Sequence, residues 1–469
     1  MSVDLENELL LQKKWTVKNT RLLPWFNKLV ENEFISPEKQ VMRGIASIRS
    51  MVDFCNTHVP YYNGLFRRKG LLSKNIKDLS DLSAFPLLLK ETVQDQKVVL
   101  QANWLPKSER QVGETSTSGT TGQPVKVRIT AKSMGMFGIL KQREFRWFRF
   151  DPKKKFASIR NSHDLPRVNG KRLPANVTYH GKGWPSVGAH FKTGPFLGLA
   201  DTTDIEDQVS WIEANKPDYI LSQPAHLEQL ALAWQGDSST IKGFEGVSQQ
   251  VMPQVKNKIE KVFSAPVHQN YGLNEIGIVA SCCPEGNRFH VHTEHCWVEI
   301  VDENGEPCPP GERGRILVTS LTNRAMPLLR YDTDDTAIPA EGVCACGRTL
   351  PGFIGLMGRY RRTALLPPGS WKCWDAILNG LAEAPAPLSE NLRQYQLHQF
   401  LDGQYELRLA CKGAPEPGFI DYINYTWNKE LGANAVTLTI TPVDVIARPK
   451  SGKFESFTSD FAPLPKQGS

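Results

Sequence analysis

The chain has 469 residues, of which 40% are hydrophobic and 22% charged, and its formal net charge is +7. This length allows two or three domains with a large buried core. The composition excludes a disordered chain, and the modest positive charge predicts a solvated surface and no nucleic-acid partner.

The N-terminal stretch MSVDLENELLLQKKW is acidic before it becomes apolar, which is not the pattern of a secretory signal peptide. No apolar run reaches the roughly 18 residues that a membrane-spanning helix needs, so we expect no membrane partner. Nine cysteines, an odd number in a long chain, do not predict a disulfide framework. The sequence therefore predicts a cytoplasmic protein.

The predicted elements change character twice along the chain. Residues 1–105 form a helical lead-in, because apolar residues recur at helical spacing in LLPWFNKLVENEF and VMRGIASIRSMVDFC. From about 110 to 340, β-branched runs such as VKVRIT and RILVTSL alternate with helical stretches such as DIEDQVSWIEAN. This alternation predicts an α/β domain with a largely parallel sheet. Two strand-like runs, QYELRLACK and AVTLTITPVDVI, predict a small α+β domain over residues 359–469.

The first motif, STSGTTGQP, concentrates hydroxyls and glycines immediately before the strand-like VKVRIT. Small residues let backbone N–H groups converge on an anion, and hydroxyl side chains add donors. The stretch does not fit the G-x-x-x-x-G-K-[ST] phosphate loop, because Pro124 stands where the second glycine belongs. By itself it fits a phosphate-binding loop and a Ser/Thr/Gly connector equally well.

Three further segments carry residue types suited to nucleotide chemistry. In YGLNE, Tyr271 at a strand end can stack on a base and Glu275 can hold a divalent metal, although a glycine turn with a surface glutamate is the simpler interpretation. In RYDTDD, a carboxylate can accept hydrogen bonds from both ribose hydroxyls; the segment lacks the pattern of a calcium-binding loop. In RPKSGK, Lys453 is either part of an exposed basic turn or an ammonium delivered to a negative reaction centre.

These four segments, in this order, resemble the adenylate-forming superfamily of acyl-CoA synthetases, adenylation domains and luciferases, and most of all its phenylacetate–CoA ligase branch. The runs DLSAFPLLLKE, GERGRILVTSLTNRAMPLLRYDTDD and CACGRTLPGFIGLMGR add to the likeness. It covers about residues 55–360 well, and beyond them chiefly the lysine motif. The resemblance implies a large N-terminal adenylation domain (1–358) of α/β layers with a β-barrel-like part, followed by a small mobile α+β domain (359–469).

The resemblance also implies the role of each matched residue. A loop around the β- and γ-phosphates of ATP would be formed by Thr117, Ser118, Gly119, Thr120, Thr121 and Gly122. Tyr271 and the adjacent Gly272 would lie against the adenine, Glu275 would hold Mg2+, and Asp335 would bind the ribose with Arg359 nearby. Lys453 would approach the reacting carboxylate and the α-phosphate. This in-line displacement needs positioning and charge neutralisation more than proton transfer.

The junction between the two predicted domains departs from the family pattern. Where the family has paired aspartates after glycine-arginine, this chain reads Gly358-Arg359-Tyr360-Arg361-Arg362. The resemblance implies coenzyme A as the acceptor, whereas the altered junction favours alternatives such as an amine or a carrier-protein thiol. A nucleotide-binding partner protein without transfer activity is a further alternative, against which Glu275, Asp335 and Lys453 argue. The resemblance is also compatible with a homodimer.

Cysteines and histidines of the second half predict a structural zinc site. Cys282-Cys283 precedes His290, a run with His292 and His295 follows, and Cys344-Ala-Cys346 comes later. Thiolates and imidazoles are zinc ligands, and a closed set of four is structural. The ligand set we predict is Cys283, His290, Cys344 and Cys346, with buried thiols and an edge-strand histidine as the alternative.

The sequence gives the weakest indication for the residues of the acid-binding pocket. The segment YHGKGWP supplies His180 and Trp184 as candidate pocket residues, although a surface loop fits equally well. Segments 222–230 and 244–250 are further candidates without a residue-level assignment. The sequence thus predicts an ATP-dependent ligase that activates a small carboxylic acid, expected to be aromatic, as an acyl-adenylate.

Overall fold

The computed structural model describes residues 5–18, 23–110, 112–116, 124–248, 250–251, 253–357, 377, 381, 384–385, 391–432, 436–444, 446 and 457–460. The chain divides into two compact units. The larger comprises Met1–Ser222, Gln235–Val247 and Ser264–Gly358, and the smaller comprises Gln223–Trp234, Ser248–Phe263 and Arg359–Ser469. The division into domains at residue 358 stays a prediction, since two short segments before that residue belong to the smaller unit.

The described α-helices are α1 (Leu5–Gln12), α2 (Leu23–Asn32), α3 (Pro37–His58), α4 (Pro60–Lys69), α5 (Lys90–Asp95), α6 (Ala131–Trp147), α7 (Ile205–Asn215), α8 (Pro224–Ala233), α9 (Pro253–Phe263) and α10 (Pro417–Leu431). Their ends follow local chemistry. The Ser36 hydroxyl accepts from the Lys39 N–H at the start of α3, where Pro37 occupies the first helical position. Thr130 caps α6 in the same way, accepting from the Ser133 N–H at 3.1 Å. None of the helices described here is long and apolar enough to cross a membrane.

The strands of the larger unit are β1 (Val112–Ser116), β2 (Lys126–Thr130), β3 (Phe156–Arg160), β4 (Tyr179–Gly181), β5 (Phe196–Ala200), β6 (Tyr219–Ser222), β7 (Gly243–Gly246), β8 (Val267–Leu273), β9 (Gly277–Cys282), β10 (Phe289–Val291), β11 (Cys296–Val301), β12 (Gly314–Ser320), β13 (Tyr331–Pro339) and β14 (Gly352–Met357). Twelve of them form one sheet in the order β11-β12-β13-β14-β10-β9-β8-β7-β6-β3-β5-β4. The remaining two, β1 and β2, pair antiparallel with each other.

The large sheet has a parallel half and an antiparallel half. Strands β5, β3, β6, β7 and β8 are parallel neighbours, and the buried runs of β3, β5 and β6 are typical of strands covered on both faces. The neighbours from β8 through β9, β10, β14 and β13 to β11 pair antiparallel. The predicted α/β class is therefore confirmed. The expected β-barrel-like part corresponds to the antiparallel half, and no barrel is closed among the described strands.

The smaller unit contains its own sheet, made of β15 (Leu392–Gln399), β16 (Tyr405–Cys411), β17 (Leu438–Val443) and β18 (Phe457–Ser459) in the order β17-β16-β15-β18. Pairing is antiparallel between β15 and β16 and parallel at both outer strands. Trp427 of α10 is buried and contacts Tyr405 at the start of β16, with ring centroids 5.5 Å apart. A helix on a mixed sheet agrees with the predicted α+β tail.

A network of buried charges joins the N-terminal helices to α6 within the larger unit. Glu33, which has no exposed surface, pairs with Arg143 at 3.1 Å, with Arg146, and with Arg348 at 3.0 Å. The indole N–H of Trp147 also donates to Glu33, at 2.8 Å. Burial raises the pKa of Glu33, but the three guanidinium groups outweigh it and the net shift is downward. This carboxylate is therefore ionised and fully compensated.

Candidate functional site

Tyr271 and Asp335 form the first pair of the site. Tyr271 lies on β8 and Asp335 on β13, and the Tyr271 hydroxyl donates to Asp335 Oδ2 at 2.7 Å. Both side chains are buried, and the edge of Phe353 contacts the tyrosine ring with centroids 5.9 Å apart. Burial and the nearby Asp335 carboxylate raise the pKa of Tyr271 well above its usual value, so the hydroxyl keeps its proton and acts as a donor.

Glu275 lies in the turn between β8 and β9 and bonds to a residue that the sequence did not single out. Tyr331, the first residue of β13, donates its hydroxyl to Glu275 Oε1 at 3.0 Å. Both residues are buried. Burial and the Glu275 carboxylate raise the pKa of Tyr331 well above its usual value. Two tyrosine–carboxylate pairs, Tyr271–Asp335 and Tyr331–Glu275, therefore connect β8 and the turn after it with β13.

The start of β13 is held in an unusual backbone conformation by Arg330. This residue has φ of +47°, in the left-handed region that a non-glycine residue rarely adopts. Its guanidinium is buried, pairs with Glu299 at 3.0 Å and donates to the carbonyl oxygens of Phe85 and Gly305. These contacts hold the backbone against its strain and fix the direction of the Tyr331 side chain that follows.

His295 holds the turn that carries Glu275 through a hydrogen bond to its backbone. The Ile276 carbonyl oxygen can only accept, so His295 Nε2 donates to it, at 2.8 Å, and Nδ1 accepts from the Thr322 hydroxyl at 2.7 Å. Burial lowers the pKa of His295, which favours this neutral form. Gly277 closes the turn with φ of +103°, and a Cβ there would meet the His295 ring at 3.3 Å. His295 is not one of the four predicted zinc ligands, and its contacts are those of a support for this turn.

Of the three carboxylates in the RYDTDD segment, only Asp335 faces Tyr271. Asp332 is buried and accepts from Arg315 at 3.0 Å, while Asp334 has φ of +62° and its N–H donates to Asp332. The strand alternation separates these side chains, because successive residues of a strand point to opposite faces.

The predicted phosphate loop begins where the described hairpin ends. Strands β1 and β2 pair up to Ser116 and Lys126, and the Ser116 carbonyl oxygen accepts from Asn274 at 3.4 Å. Asn274 directly precedes Glu275, so the first residue of STSGTTGQP is next to the Glu275 turn. The loop residues Thr117 to Gly122 themselves, together with Arg359 and Lys453, lie outside the described residues.

The two candidate pocket residues of the YHGKGWP segment lie in different surroundings. Trp184 is buried, donates its indole N–H to the Lys154 carbonyl at 3.1 Å and contacts Trp15 and Phe156, as a core residue does. His180 is exposed on β4, which is the last strand of the sheet. The role of both residues in the pocket stays a prediction.

Cys283, His290, Cys344 and Cys346 come together as a compact cluster. Their ligand atoms all lie within 4.8 Å of one another. The Cys283 and Cys344 sulfurs are 3.7 Å apart, and the Cys346 sulfur is 3.4 Å from His290 Nε2. In a tetrahedral site, zinc–sulfur bonds of about 2.3 Å place two sulfurs about 3.8 Å apart. A zinc–nitrogen bond of about 2.0 Å places the nitrogen about 3.5 Å from each sulfur. The cluster therefore has the dimensions of a four-coordinate zinc site.

Local structure orients the donors of this cluster. His290 Nδ1 is 3.4 Å from the Leu350 carbonyl oxygen, which only accepts, so the ring proton belongs on Nδ1 and Nε2 faces Cys346. The Gly347 N–H donates to the Cys344 carbonyl in a tight turn, and Gly347 has φ of +81°. The hydrogen bond shared by Cys283 and Cys346 lowers the pKa of Cys346 and raises the pKa of Cys283, and His290 lowers the pKa of Cys346 further, so Cys346 is the thiol of this pair that ionises first.

Neighbouring cysteine and histidine residues do not share this cluster. The Cys282 sulfur faces the carbonyl oxygens of Cys283 and Gly286. His292, one residue past β10, accepts at Nδ1 from Arg143 at 3.1 Å and contacts Ser281 through Nε2 at 2.9 Å. His290 and His292 are only two residues apart, yet their rings contact different groups.

Comparison with known proteins gives consistent matches. Residues 115–323 match the family model of AMP-binding enzymes. Phenylacetate–coenzyme A ligase of Thermus thermophilus is 27% identical over 322 residues, covering 66% of this chain and 68% of the relative. Phenylacetate–coenzyme A ligase of Escherichia coli K12 is 25% identical over 371 residues, covering 76% of each chain.

Solved structures share the fold at lower identity. A 2-hydroxyisobutyryl-CoA ligase in its postadenylation state, with the acyl-adenylate bound, has a TM-score of 0.67 at 15% identity, covering 92% of this chain and 91% of that chain. An amide bond synthetase from Marinactinospora thermotolerans has a TM-score of 0.51 at 18% identity, covering 75% of this chain and 68% of that chain. At these identities the structural matches concern the fold alone.

Proposed function

We propose, on the premise that this chain belongs to the adenylate-forming superfamily, that it is an ATP-dependent ligase which activates a carboxylic acid as an acyl-adenylate and then transfers the acyl group to coenzyme A. The two tyrosine–carboxylate pairs beside the start of STSGTTGQP carry this proposal. They offer an aromatic ring, a ribose-binding carboxylate and a metal-binding carboxylate within one small region, which is what a nucleotide requires.

In the proposed site each residue acts on one part of ATP. Tyr271 and Gly272 lie against the adenine, and Asp335 accepts from the ribose hydroxyls with Arg359 nearby. A Cβ on Gly272 would approach the Gly277 carbonyl oxygen to 3.2 Å, so a larger residue would disturb the turn below the base. Thr117 to Gly122 bind the β- and γ-phosphates through backbone N–H groups and hydroxyls. Lys453 neutralises charge as the acid's carboxylate attacks the α-phosphorus and pyrophosphate leaves.

Glu275 is suited to hold Mg2+ in this site. It is a buried carboxylate with one oxygen fixed by the Tyr331 hydroxyl, and hard oxygen ligands are those that Mg2+ prefers. When bound, Mg2+ would neutralise the phosphate charge during displacement. The hydroxyl of Tyr331 keeps Glu275 oriented whether or not the metal is present.

The acceptor of the acyl group follows from the relatives. The similar proteins from Thermus thermophilus and Escherichia coli are named for coenzyme A, which supports a thiol acceptor. The arginines at 361 and 362, which depart from the family pattern of the junction, keep an amine as the second candidate.

A panel of carboxylic acids, each tested for ATP-dependent pyrophosphate release with and without coenzyme A, tests the proposed function. We expect release with at least one acid, and formation of the acyl-CoA thioester when coenzyme A is present. If pyrophosphate is released and added amines yield an amide but coenzyme A yields no thioester, the acceptor is an amine and not coenzyme A. Failure of every acid, with ATP binding intact, would contradict the ligase assignment.

We propose further that Cys283, His290, Cys344 and Cys346 hold a structural zinc ion. The four donors are protein side chains with tetrahedral spacing, which leaves no ligand position for substrate, and three are buried. The ion would tie the end of β9, β10 and the turn before β14 together. The distances, the orientation of His290 and the thiolate-favouring contacts of Cys346 support this proposal.

Metal analysis of the purified protein is expected to find about one zinc per chain, with little zinc in Cys346→Ser. A serine hydroxyl cannot replace a thiolate in a soft-ligand site, so zinc affinity should fall by about 10-fold to 100-fold or more. Cys308→Ser is the matched control, because Cys308 is a partly buried free thiol outside the cluster and should leave zinc content unchanged. Wild-type protein without zinc, when purified in the absence of chelators, would contradict the site.

A further inference from the structure

A second buried charge cluster lies inside the larger unit and has no role in the proposed nucleotide site. It consists of Lys141 and Glu144 on α6, Glu245 on β7 and His268 on β8, which we call the Lys141 cluster. Each of these side chains is at most 2% exposed. Glu245 and His268 are direct neighbours in the parallel pairing of β7 with β8, so their side chains lie next to each other on one face of the sheet.

Hydrogen bonds in the Lys141 cluster are distributed unevenly between its two carboxylates. Glu144 accepts from Lys141 at 2.9 Å, from His268 Nδ1 at 2.9 Å and from Asn270, which reaches both of its oxygens. Glu245 accepts from Lys141 at Oε1 only. Glu245 Oε2 and His268 Nε2 are fully enclosed and have no hydrogen-bond partner among the described residues.

The enclosed oxygen of Glu245 is a hydrogen-bond acceptor. Burial raises the pKa of Glu144, but Lys141 and His268 outweigh it and hold the pKa at about 2, so Glu144 is ionised and only accepts. His268 therefore carries a proton on Nδ1, which donates to Glu144. A group that satisfies Glu245 Oε2 must be a donor.

The charge of the cluster points to the same kind of group. Lys141 is protonated, because the two carboxylates raise its pKa against the effect of burial. The single ammonium serves both carboxylates, and Glu245 keeps one oxygen for a further donor. An unmet acceptor in the protein interior is costly, so a ligand group that donates a hydrogen bond fits the Lys141 cluster best.

Aromatic side chains surround this polar spot. The rings of Phe148, Phe150 and Phe145 lie 4.6, 5.1 and 6.0 Å from the His268 ring, measured between centroids. Phe150 in turn stacks on Tyr219 at 3.8 Å. An aromatic ring that carries one polar substituent matches these surroundings, because its apolar body contacts the rings while its substituent donates to Glu245.

The cluster also lies where an open α/β sheet binds its ligands. Glu245 is the penultimate residue of β7, and the chain continues from Asn270, which bonds to Glu144, directly into Tyr271 of the proposed adenine site. Ligands of such sheets bind at the carboxyl ends of parallel strands. An acid whose far end reaches Glu245 would have its carboxylate on the side of the nucleotide.

We infer that the acid activated by this protein is an aromatic acid bearing an amino or hydroxyl donor, and that this donor binds Glu245 Oε2 beside His268. The inference rests on the proposed function, since it names the substrate class of the same site. It makes Glu245 and His268 specificity-determining residues.

Isosteric acids test the inference directly. Pyrophosphate release is measured with aminomethylbenzoate against ethylbenzoate and with hydroxyphenylacetate against methylphenylacetate, each as ortho, meta and para isomers. For the best isomer we expect the donor-bearing acid to have a kcat/KM at least about a hundredfold above that of its isostere, because a site built around a donor rejects the analogue that lacks it. Equal values for each pair, with release observed, would overturn the inference and leave the proposed function standing.

The variant Glu245→Gln locates the selectivity. It keeps the shape of the side chain but removes its charge, so the amine-over-ethyl ratio should fall at least tenfold while ATP affinity stays unchanged. Glu109→Gln is the matched control: Glu109 is also buried and pairs with a lysine, Lys132 at 3.2 Å, but it lies outside the Lys141 cluster and should keep the wild-type ratio. An unchanged ratio in folded Glu245→Gln would remove the assignment.

Two other outcomes are decisive as well. If Glu245→Gln does not fold, the wild-type ratios between isosteres decide the substrate class by themselves. If none of these acids is activated while an aliphatic or unsubstituted acid from the wider panel is, the inference is wrong and the ligase function stands. Absence of release with every acid contradicts the proposed function instead.

Discussion

Lys453→Ala should abolish most of the ATP–pyrophosphate exchange supported by the correct acid. Removing one preorganised charged donor from a developing negative charge costs about 10²-fold to 10³-fold in rate, and we expect a loss in this range. The acid's KM should change much less than kcat, because the lysine is proposed to act mainly on the transition state of adenylation.

Lys450→Ala is the control for this prediction. It removes an equal charge three residues earlier in the same RPKSGK motif, so a general effect of lost positive charge would appear in both variants. Exchange should persist in Lys450→Ala. Exchange at the wild-type rate in Lys453→Ala would show that the lysine motif does not serve adenylation, and the assignment of Lys453 by resemblance would then be wrong.

Glu33→Gln should destabilise the larger unit by about 3–5 kcal/mol, because removing one partner of a buried ionic network leaves buried charge without compensation. Glu33 has no exposed surface and contacts three guanidinium groups and the Trp147 indole. The amide can still accept, but it no longer neutralises Arg143, Arg146 and Arg348. The urea midpoint and the thermal midpoint should both fall.

Glu31→Gln provides the comparison. Glu31 lies two residues earlier, in the last turn of α2, and is exposed, so its change should be within about 0.5 kcal/mol of wild type. A loss in Glu33→Gln no larger than that of Glu31→Gln would mean that the buried network contributes no net stability. Zinc content should be followed in parallel, since Arg348 lies two residues from Cys346.

The nucleotide motifs were recognisable from the sequence because each is local. STSGTTGQP, YGLNE and RPKSGK are short runs in which neighbouring residue types by themselves suggest the chemistry. The alternation of β-branched and helical stretches indicated the α/β class. The four predicted zinc ligands also belong to short clusters of cysteine and histidine, and the structure brings those four together. Their assignment as ligands stays a prediction, as do the roles of the residues outside the described part of the chain.

Only the tertiary structure could identify the residues that act through space. Tyr331, which orients Glu275, and His295, which supports its turn, have no motif of their own; their partners are 56 and 19 residues away. The Lys141 cluster gathers residues more than 100 positions apart, and its two enclosed polar atoms without a partner among the described residues follow from burial and pairing between strands. The sequence shows which chemical groups are present. How many hydrogen-bond partners each group has and how deeply it is buried decide its charge state and the ligand it can bind, and both depend on the folded chain.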